Sequence, residues 1–399
     1  MKTATLSRAQ LGIVGAGLAI SLATWLSVRP WIFHGWMMGA PLGRDFVNFW
    51  IAPRLVLAGQ GSVLADLPAY AETVMTAFGL SRDPHLLFSY PPHALLFLVP
   101  FAGLPFLPAV VIWTGLNLAA LAWATRLTDR AADETRLVLV CLSPPAVAMM
   151  MYGHFGGLLA LGTTAMLRES DRRPWLAGLC FACLTVKPQF AAALGLILLC
   201  AGRWRCLIAS GVATAVLVGI SVAAFGLELW DRFVLVTMPI QSAFVSAFQA
   251  RAIETSITPY FIARFWGLPA AAAWTIQGCV SVLALAAGVR ALRGGVREPA
   301  SLLIVALAAL MMQPYVSHYD LAIVAPALTL VVLAGAPRPS RLAVAAWLLV
   351  PIARILFIFD LPILCLLVPG ALFTQAARLL RAEDTRGVAP LSAGLEPAA

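Results

Sequence analysis

Long apolar stretches recur along almost the whole chain, from Leu11 to Phe373, and they constrain the fold more than any other feature. The sequence is 61% hydrophobic and only 11% charged, with a mean hydropathy of +0.90. The core of a soluble protein of 399 residues would not need so much apolar sequence. Apolar segments of about 20 residues are long enough to cross the hydrocarbon layer of a bilayer. The sequence therefore predicts an all-α, polytopic membrane protein.

The formal net charge of +9 comes from basic residues scattered among short loops, not from one basic face. Scattered basic residues are typical of membrane topology signals, and they argue against binding to nucleic acid. Lys2 and Arg8 precede the first apolar run, so we expect the N-terminus in the cytoplasm. About twelve membrane-spanning helices are expected, in one transmembrane domain over residues 1–380 of a plasma (inner) membrane protein. Residues 381–399 are polar enough to predict a disordered cytoplasmic tail.

Two longer segments are expected on the outer, periplasmic face, at residues 29–85 and 226–268. Within the first, Asp45 to Gly59 and Pro68 to Phe78 have helical spacing, which predicts amphipathic helices lying on the membrane surface after the first crossing. The second segment also has an amphipathic, interfacial composition. We expect it to help form the side on which the acceptor or the lipid approaches.

Two apolar runs carry interruptions that predict broken helices. Ser143-Pro144-Pro145 ends a half-helix, and a single crossing is expected from Ala146 to Leu167. Lys187-Pro188-Gln189 interrupts the run from Trp175 to Ala201, so two short helices are expected to meet near the outer leaflet with Lys187 at their apex. Discontinuous helices occur in membranes where the backbone lines a polar cavity.

Polar residues in this apolar chain gather at the predicted outer edge of the membrane. Arg44, Asp45 and Asn48 stand among aromatic residues, and charges in such surroundings are costly unless they are paired, solvated or used. The full set is Arg44, Asp45, Asn48, Tyr90, Tyr152, His154, Lys187, Gln189, Gln313, Tyr315, His318, Tyr319 and Asp320. Their concentration at one face predicts a functional site there.

The residue types in this set suit transfer of a group from a lipid-borne phosphate. Such an enzyme needs a carboxylate to deprotonate an acceptor hydroxyl, and cations to hold the departing phosphate. Asp45 fits the first role, while Arg44 and Lys187 fit the second. His318 is a rival base, because a neutral imidazole could accept the same proton.

Each of these residues also has a purely structural interpretation. Asp45 could cap a helix or pair with a neighbouring arginine, and Lys187 could extend its ammonium toward water. His318 could be a hydrogen-bonded interfacial histidine. Tyr90 and Tyr315 could be aromatic residues of the membrane interface.

The order and spacing of the motifs resemble glycosyltransferase family 87 over roughly residues 8 to 380. The motifs are Gly43-Arg44-Asp45-Phe46 with Phe49-Trp50, Leu55-Val56-Leu57-Ala58-Gly59, Asp66 and Tyr70, Tyr90-Pro91-Pro92, Leu176-Ala177-Gly178, Lys187-Pro188, Arg203-Trp204-Arg205 and Tyr319-Asp320. The family often has Gly-Gln-x-Asn where this chain has Gly153-His154-Phe155-Gly156. That departure leaves the sugar and the acceptor open.

The resemblance implies a GT-C fold and inverting transfer of a hexose, mannose in the family pattern, from a polyprenyl-phosphate donor to an extracytoplasmic lipid or glycan acceptor. It implies that Asp45 is the general base and that His318 holds the place of an important histidine before a Tyr-Asp pair. The residues expected to line the substrate pocket are Asn48, Tyr90, His154, Gln189, Tyr315, Tyr319 and Asp320. No cofactor is implied beyond the lipid-linked donor, and no metal ligands are identified, although a divalent ion stays open.

Two other classes of protein fit parts of the pattern. A sugar transporter or polyprenyl-lipid flippase would also collect polar residues in the membrane, but near its midplane and often with inverted repeats. This chain collects them at one face. A non-catalytic assembly subunit would not require a carboxylate, a lysine and a histidine to converge.

Overall fold

The computed structural model describes residues 6–33, 36–37, 40–41, 43–80, 86–247, 256–296, 298–334 and 339–387. Most of them are helical, as predicted, and only two pairs of residues form strands. Trp36–Met37 (β1) and Ala40–Pro41 (β2) pair antiparallel, with Trp36 opposite Pro41. Lys2, residues 81–85 and 248–255 of the two predicted outer segments, and residues 388–399 of the predicted tail lie outside the described part of the chain.

The N-terminal region places two short helices after the first long one. Its helices are α1 (Arg8–Phe33), α2 (Arg44–Leu57) and α3 (Leu67–Phe78), with a 3₁₀ turn at Gly61–Ala65 before α3. The predicted amphipathic helices at 45–59 and 68–78 correspond to α2 and α3. Asp66 caps α3 by accepting a hydrogen bond from the Ala69 amide at 3.1 Å, as the sequence Asp66-Leu67-Pro68 indicates.

The middle of the chain alternates long and short helices. A 3₁₀ turn at Pro92–Ala94 precedes α4. The helices are α4 (Leu95–Ala102), α5 (Phe106–Thr128), α6 (Glu134–Cys141), α7 (Pro144–Tyr152), α8 (Gly156–Glu169), α9 (Pro174–Leu184), α10 (Pro188–Cys200) and α11 (Trp204–Phe225).

The described part of the C-terminal region includes a π-helical turn at Phe233–Thr237 and a 3₁₀ segment at His318–Val324. Its α-helices are α12 (Glu228–Arg232), α13 (Met238–Ala247), α14 (Pro259–Phe265), α15 (Ala270–Arg293), α16 (Pro299–Met311), α17 (Ala325–Val332), α18 (Arg341–Leu349), α19 (Ala353–Ile358) and α20 (Leu364–Gly387).

The expected count of about twelve membrane-spanning helices is not confirmed by the described residues. Four helices there are long and apolar enough to span a membrane, namely α5, α11, α15 and the part of α20 up to Arg381. A fifth span is possible if α6 and α7, bent by 48°, are taken together. The remaining apolar helices are shorter. A 13-residue helix such as α10 is about 20 Å long, less than the roughly 30 Å hydrocarbon layer.

One predicted crossing is broken where the sequence analysis made it continuous. Residues 146–167 were expected to form one helix, but α7 ends at Tyr152 and α8 begins at Gly156. Gly153 between them has φ of 67°, a left-handed conformation that ends a helix and that favours glycine. The predicted breaks at Ser143-Pro144-Pro145 and at Lys187-Pro188 are both present.

The outer surface of the helices carries apolar stripes suited to lipid. On α11, Trp204, Ile208, Val212, Val216 and Ile220 recur every four residues, and each is about half or more exposed. Residues four positions apart are neighbours on a helix surface and shift by about 40°, so these side chains form one apolar face that winds gradually around α11. With the long apolar helices, this face identifies a multi-pass membrane protein.

Small residues allow the helices to pack closely. A Cβ atom added to Gly178 on α9 would lie 2.6 Å from the Ala209 backbone carbon of α11. A Cβ added to Gly157 on α8 would lie 2.1 Å from the Asn117 carbonyl oxygen of α5. Glycine at helix crossings lets backbones approach without a side chain between them, as is common in membranes.

Candidate active site

Asp45 lies in the first turn of α2 and is buried, with 7% of its surface exposed. Gly43 precedes the helix in a left-handed conformation, φ of 69°, which turns the chain into it. Further along, Trp50 Nε1 and Arg54 Nη2 both donate hydrogen bonds to the Leu104 carbonyl oxygen, at 2.9 and 2.7 Å. These bonds tie α2 to the turn between α4 and α5, and so fix the position of Asp45.

Aromatic side chains fix the other face of α2. Phe49 stacks on Phe155 with ring centroids 5.1 Å apart, and Phe46 lies 5.7 Å from the ring of Trp113. Both phenylalanines are fully buried. Because buried aromatic rings contribute large apolar areas, this contact locks α2 against the start of α8 and against α5.

The turn between α7 and α8 is held from α5. Trp113 Nε1 donates to the Gly153 carbonyl oxygen at 2.9 Å, and Asn117 Oδ1 accepts from the Gly157 amide at 3.0 Å. The second bond satisfies one of the free amides at the N-terminus of α8. His154 lies between these two anchors, so its ring has a defined position.

Lys187 and Asp320 form a buried ion pair. Lys187 precedes α10 at the predicted helix break, and its Nζ donates to Asp320 Oδ1. Asp320 is 1% exposed, and its other oxygen, Oδ2, accepts from the Ser317 amide at 3.0 Å. Lys187 therefore does not extend toward water; a carboxylate already neutralises it.

His154 links Asp320 to Tyr90. Its Nδ1 lies 3.9 Å from Asp320 Oδ1, and its Nε2 lies 3.4 Å from the Tyr90 hydroxyl. The Tyr319 ring packs on the imidazole with centroids 4.8 Å apart. His154 is 2% exposed. We call Asp45, His154, Lys187, Tyr319 and Asp320 the carboxylate cluster.

The carboxylate of Asp45 is subject to opposing influences. Burial raises its pKa above the ordinary aspartate value. The charge of Arg44 and a hydrogen bond from the Tyr319 hydroxyl favour the ionised form, Asp320 opposes it, and Lys187 favours it again. Asp45 is thus a buried carboxylate with a raised pKa beside cations, an arrangement common at catalytic sites.

The remaining predicted residues differ in their surroundings. His318 is buried, and its ring lies 5.2 Å from that of Tyr152. Tyr315 accepts a hydrogen bond from Ser317 Oγ at 3.2 Å. Asn48 accepts a bond from the Tyr70 hydroxyl at 2.8 Å, so it attaches α3 to α2.

Gln189 was expected in the pocket, but it is exposed while Lys187, two residues earlier, is buried. Trp113, Asn117 and Ser317 hold the site together and were not singled out from the sequence. A lone asparagine inside an apolar helix was the signal available for Asn117. Among the described residues, no group of three His, Cys, Asp or Glu side chains is placed to hold a metal ion.

Comparison with known proteins supports a transferase. The profile of glycosyltransferase family 87 matches residues 88–314, a stretch that contains Tyr90, His154 and Lys187 but neither Asp45 nor Asp320. An alpha-(1->3)-arabinofuranosyltransferase is 30% identical over 160 residues, covering 36% of this chain and 35% of the relative. It is recorded from Mycobacterium tuberculosis strains CDC 1551 / Oshkosh and ATCC 25618 / H37Rv.

The aligned part thus spans about a third of the length of these curated relatives. No solved structure matches significantly. The family match covers more than half of the chain, and it agrees with the family resemblance noted in the sequence. The chain belongs to glycosyltransferase family 87.

Proposed function

We propose that this glycosyltransferase moves a sugar from a polyprenyl-phosphate donor to a lipid or glycan acceptor, with inversion at the anomeric carbon and with Asp45 as general base. The observation that carries the proposal is the meeting of Asp45, buried beside Arg44, with the Lys187–Asp320 pair. Asp45 as the base, with Arg44 beside it and Lys187 in the carboxylate cluster as cations, supplies what a direct displacement needs.

In the proposed step, the acceptor hydroxyl gives its proton to Asp45 as its oxygen attacks the anomeric carbon. The bond between that carbon and the donor phosphate breaks, and polyprenyl phosphate leaves with the bonding electrons. Arg44 and Lys187 stabilise the added negative charge on the phosphate. No covalent enzyme intermediate is required, because a single displacement inverts the centre.

His318 is the second candidate for the base. Its ring is buried against Tyr152 and Tyr319, with centroid distances of 5.2 and 5.5 Å. A neutral imidazole could accept the acceptor proton. Asp45 is preferred because it lies beside the Arg44 charge and accepts the Tyr319 hydroxyl, which together orient the carboxylate.

The sugar is proposed to be mannose, following the family pattern. A second candidate is arabinofuranose, because the curated relatives are named for its transfer. Both donors therefore belong in the test.

The side on which the lipid approaches is proposed to lie at α12 and the π-helical turn. A small cavity there is lined by Gly61, Leu64, Tyr90, Leu229 and Phe233. It touches Tyr90 of the site and is otherwise largely apolar, as an isoprenoid chain requires. Gln241 of α13 donates to the Ser89 carbonyl oxygen at 2.7 Å, which ties this segment to the site.

The site is proposed to face the outside of the plasma membrane, since the basic residues near the chain start predict a cytoplasmic N-terminus. A cysteine placed at the exposed Gln60, in an otherwise cysteine-free chain, tests this orientation. A membrane-impermeant maleimide should label it in intact cells. Labelling only after permeabilisation would reverse the topology.

The function is tested with purified protein in lipid vesicles, an acceptor extract from membranes, and either polyprenyl-phosphate mannose or polyprenyl-phosphate arabinofuranose labelled in the sugar. Label should move from one donor to the acceptor and release polyprenyl phosphate. Transfer from the arabinofuranose donor alone would correct the sugar. Movement of intact donor across the bilayer without cleavage would instead identify a flippase.

A further inference from the structure

One oxygen atom of Asp320 faces two cation-forming groups. Lys187 Nζ donates to Oδ1, and His154 Nδ1 lies 3.9 Å from the same oxygen. The other oxygen, Oδ2, is already occupied by the Ser317 amide at 3.0 Å. Lys187 and His154 therefore compete for Asp320 Oδ1, and in this structure Lys187 donates the hydrogen bond to it.

This arrangement creates a difficulty for phosphate binding. If Lys187 turns to a donor phosphate, it leaves the Asp320 carboxylate, which is 1% exposed, without its cation. An unpaired buried carboxylate is strongly unfavourable, because water cannot replace the lost partner. Some group beside Oδ1 has to compensate the charge, or Lys187 stays on Asp320.

His154 is placed to supply that compensation. Its Nδ1 has no hydrogen-bond partner in the described structure, although it is buried and aimed at Asp320. A protonated imidazole donates from both nitrogens, so it could serve Asp320 through Nδ1 and the Tyr90 hydroxyl through Nε2. Neutral imidazole can donate from only one of them.

We propose that His154 is a positioning residue that accepts a proton from solvent and takes over Asp320 when the donor phosphate draws Lys187 away. The inference rests on the proposed function, in that a phosphate enters beside Lys187. The proton goes to His154 and the phosphate gains Lys187, so the cluster keeps its charge balance. Donor binding is then coupled to uptake of one proton.

Other ionisable groups face the same place and enter the balance. Tyr319 packs on the imidazole, and Tyr90 contacts Nε2. Asp45 and Asp320 oppose each other's ionisation, while Arg44 favours the charged form of Asp45. Burial, and then the Lys187 charge, lower the pKa of His154 to about 3, while Asp320 raises it. Departure of Lys187 removes the second of these influences and leaves Asp320 acting alone on the imidazole, so the pKa of His154 rises and it becomes the group that gains a proton.

The first experiment measures donor affinity against pH, without acceptor. The probe is the tighter-binding of short-chain polyprenyl-phosphate mannose and polyprenyl-phosphate arabinofuranose, both phosphodiesters that do not titrate between pH 5.5 and 8.5. Wild type should bind more tightly as the pH falls, by up to about tenfold per pH unit for one proton. His154→Gln should lose that dependence.

His93→Gln is the matched control. His93 is another buried histidine, 2% exposed, with Nε2 3.0 Å from Thr185 Oγ1 and its ring stacked on Trp230. It should keep the wild-type pH dependence. Equal dependence in His154→Gln and wild type would overturn the proposal.

The second experiment needs no donor, so it separates this inference from the proposed function. In Lys187→Gln, His154 is the group left to pair with Asp320, and the lowering effect of Lys187 on its pKa is gone. The proposal requires the folded-state pKa of His154 to rise above the unfolded value near 6.5 in this variant. The stabilisation is then fully present below that unfolded value and is lost as pH rises through the folded pKa. The melting temperature of Lys187→Gln should therefore recover toward wild type on acidification.

The double variant Lys187→Gln/His154→Gln decides where the proton goes. It should show no recovery at low pH. Equal recovery in the double variant would mean that Asp320 itself takes the proton, which would overturn the role of His154. Recovery that depends on His154, together with no binding of either donor, would instead refute the proposed phosphate ligand.

Discussion

The two ends of α10 use cations in opposite ways. At its N-terminal end, Lys187 faces a buried carboxylate inside the carboxylate cluster. About 20 Å away along the helix, arginines contact backbone carbonyls: Arg293 Nη2 donates to the Cys200 oxygen at 2.6 Å, and Arg203 Nη2 donates to the Leu292 oxygen at 3.1 Å. We call the second region, with Arg168 donating to the Thr128 oxygen, the arginine end.

The arginine end has a structural role, whereas the carboxylate cluster is placed for chemistry. At the arginine end, each cation satisfies carbonyls that a helix C-terminus leaves free, which stabilises helix ends and leaves no group poised to react. The Arg203 partner Asp171 has a side chain that is 55% exposed. In the carboxylate cluster the charged side chains are buried and face one another, and an unpaired buried charge is strongly destabilising. Changes in the two regions should therefore have different effects.

The largest expected difference concerns the carboxylates. Asp45→Asn keeps the size and hydrogen bonding of the side chain but cannot accept the acceptor proton. Transfer should fall by about two to four orders of magnitude, the usual contribution of general acid–base catalysis. Donor binding and folding should persist. Asp171→Asn, at the arginine end, should retain wild-type turnover in the same assay.

His318→Ala completes that comparison of bases. It should leave much more activity than Asp45→Asn, because His318 is assigned no proton transfer. Inactive His318→Ala with active Asp45→Asn would reassign the base to the histidine.

Replacing a cation should change donor affinity by a smaller factor, and only at or beside the carboxylate cluster and not at the arginine end. Arg44→Ala should raise the donor dissociation constant about 10- to 100-fold, the loss expected for a hydrogen bond between charged groups. Arg44→Lys should recover only part of it, since a point charge cannot replace a planar fork on phosphate. Arg203→Ala should lower the melting temperature and leave donor affinity unchanged. Reduced donor affinity in Arg203→Ala would indicate that the phosphate binds at the arginine end, which would contradict this account.

The pH dependence of transfer sharpens the assignment of Asp45. Burial raises the Asp45 pKa, and the base must be ionised, so kcat at saturating donor should decline as pH falls through that raised pKa. The Arg44 charge favours the ionised form. Arg44→Gln should therefore move the acidic limb upward by about one pH unit or more. An unmoved or downward-moved limb would mean that another group controls it.

The last comparison concerns folding stability at the turn that carries His154, where no loss of a catalytic group is expected. Gly153 and Gly79 both have left-handed backbones, with φ of 67° and 63°. A Cβ atom added at Gly153 would lie 2.8 Å from Phe46 Cβ. A Cβ atom added at Gly79 would meet no neighbouring atom within 4 Å in the described part of the chain. Gly79→Ala should cost about 1 kcal/mol of backbone strain. Gly153→Ala should cost about 1–3 kcal/mol more from overpacking. Thermal unfolding in detergent measures both, and equal losses would argue against a tight contact.

Much of the framework could be predicted because it depends on local sequence. The caps and spacing around Asp66, and the proline after Lys187, specify α3 and the start of α10 without distant contacts. The break at Gly153 was missed because its cause is distant. Phe46 and Gly43 pack closely against this turn, and a glycine in the sequence does not by itself predict such a long-range contact.

The partners within the site could not be read from spacing. Lys187 and Asp320 are 133 residues apart, so their pairing depends on how α10 and the segment before α17 come together. Gln189 was predicted in the pocket as one of the polar residues at the outer membrane edge. It is exposed while Lys187 is buried, because successive residues at the start of a helix lie on different sides. Sequence identified the polar residues, whereas tertiary packing decides which of them meet.

The central claim is tested most directly by a cryo-electron microscopy map of the Asp45→Asn protein with polyprenyl-phosphate mannose or arabinofuranose bound. The account predicts that the donor phosphate contacts Lys187 and Arg44, and that the face of the anomeric carbon opposite the phosphate points toward residue 45 with room for one acceptor hydroxyl. A phosphate held by Arg203 and Arg293, or an anomeric carbon directed away from residue 45, would contradict it.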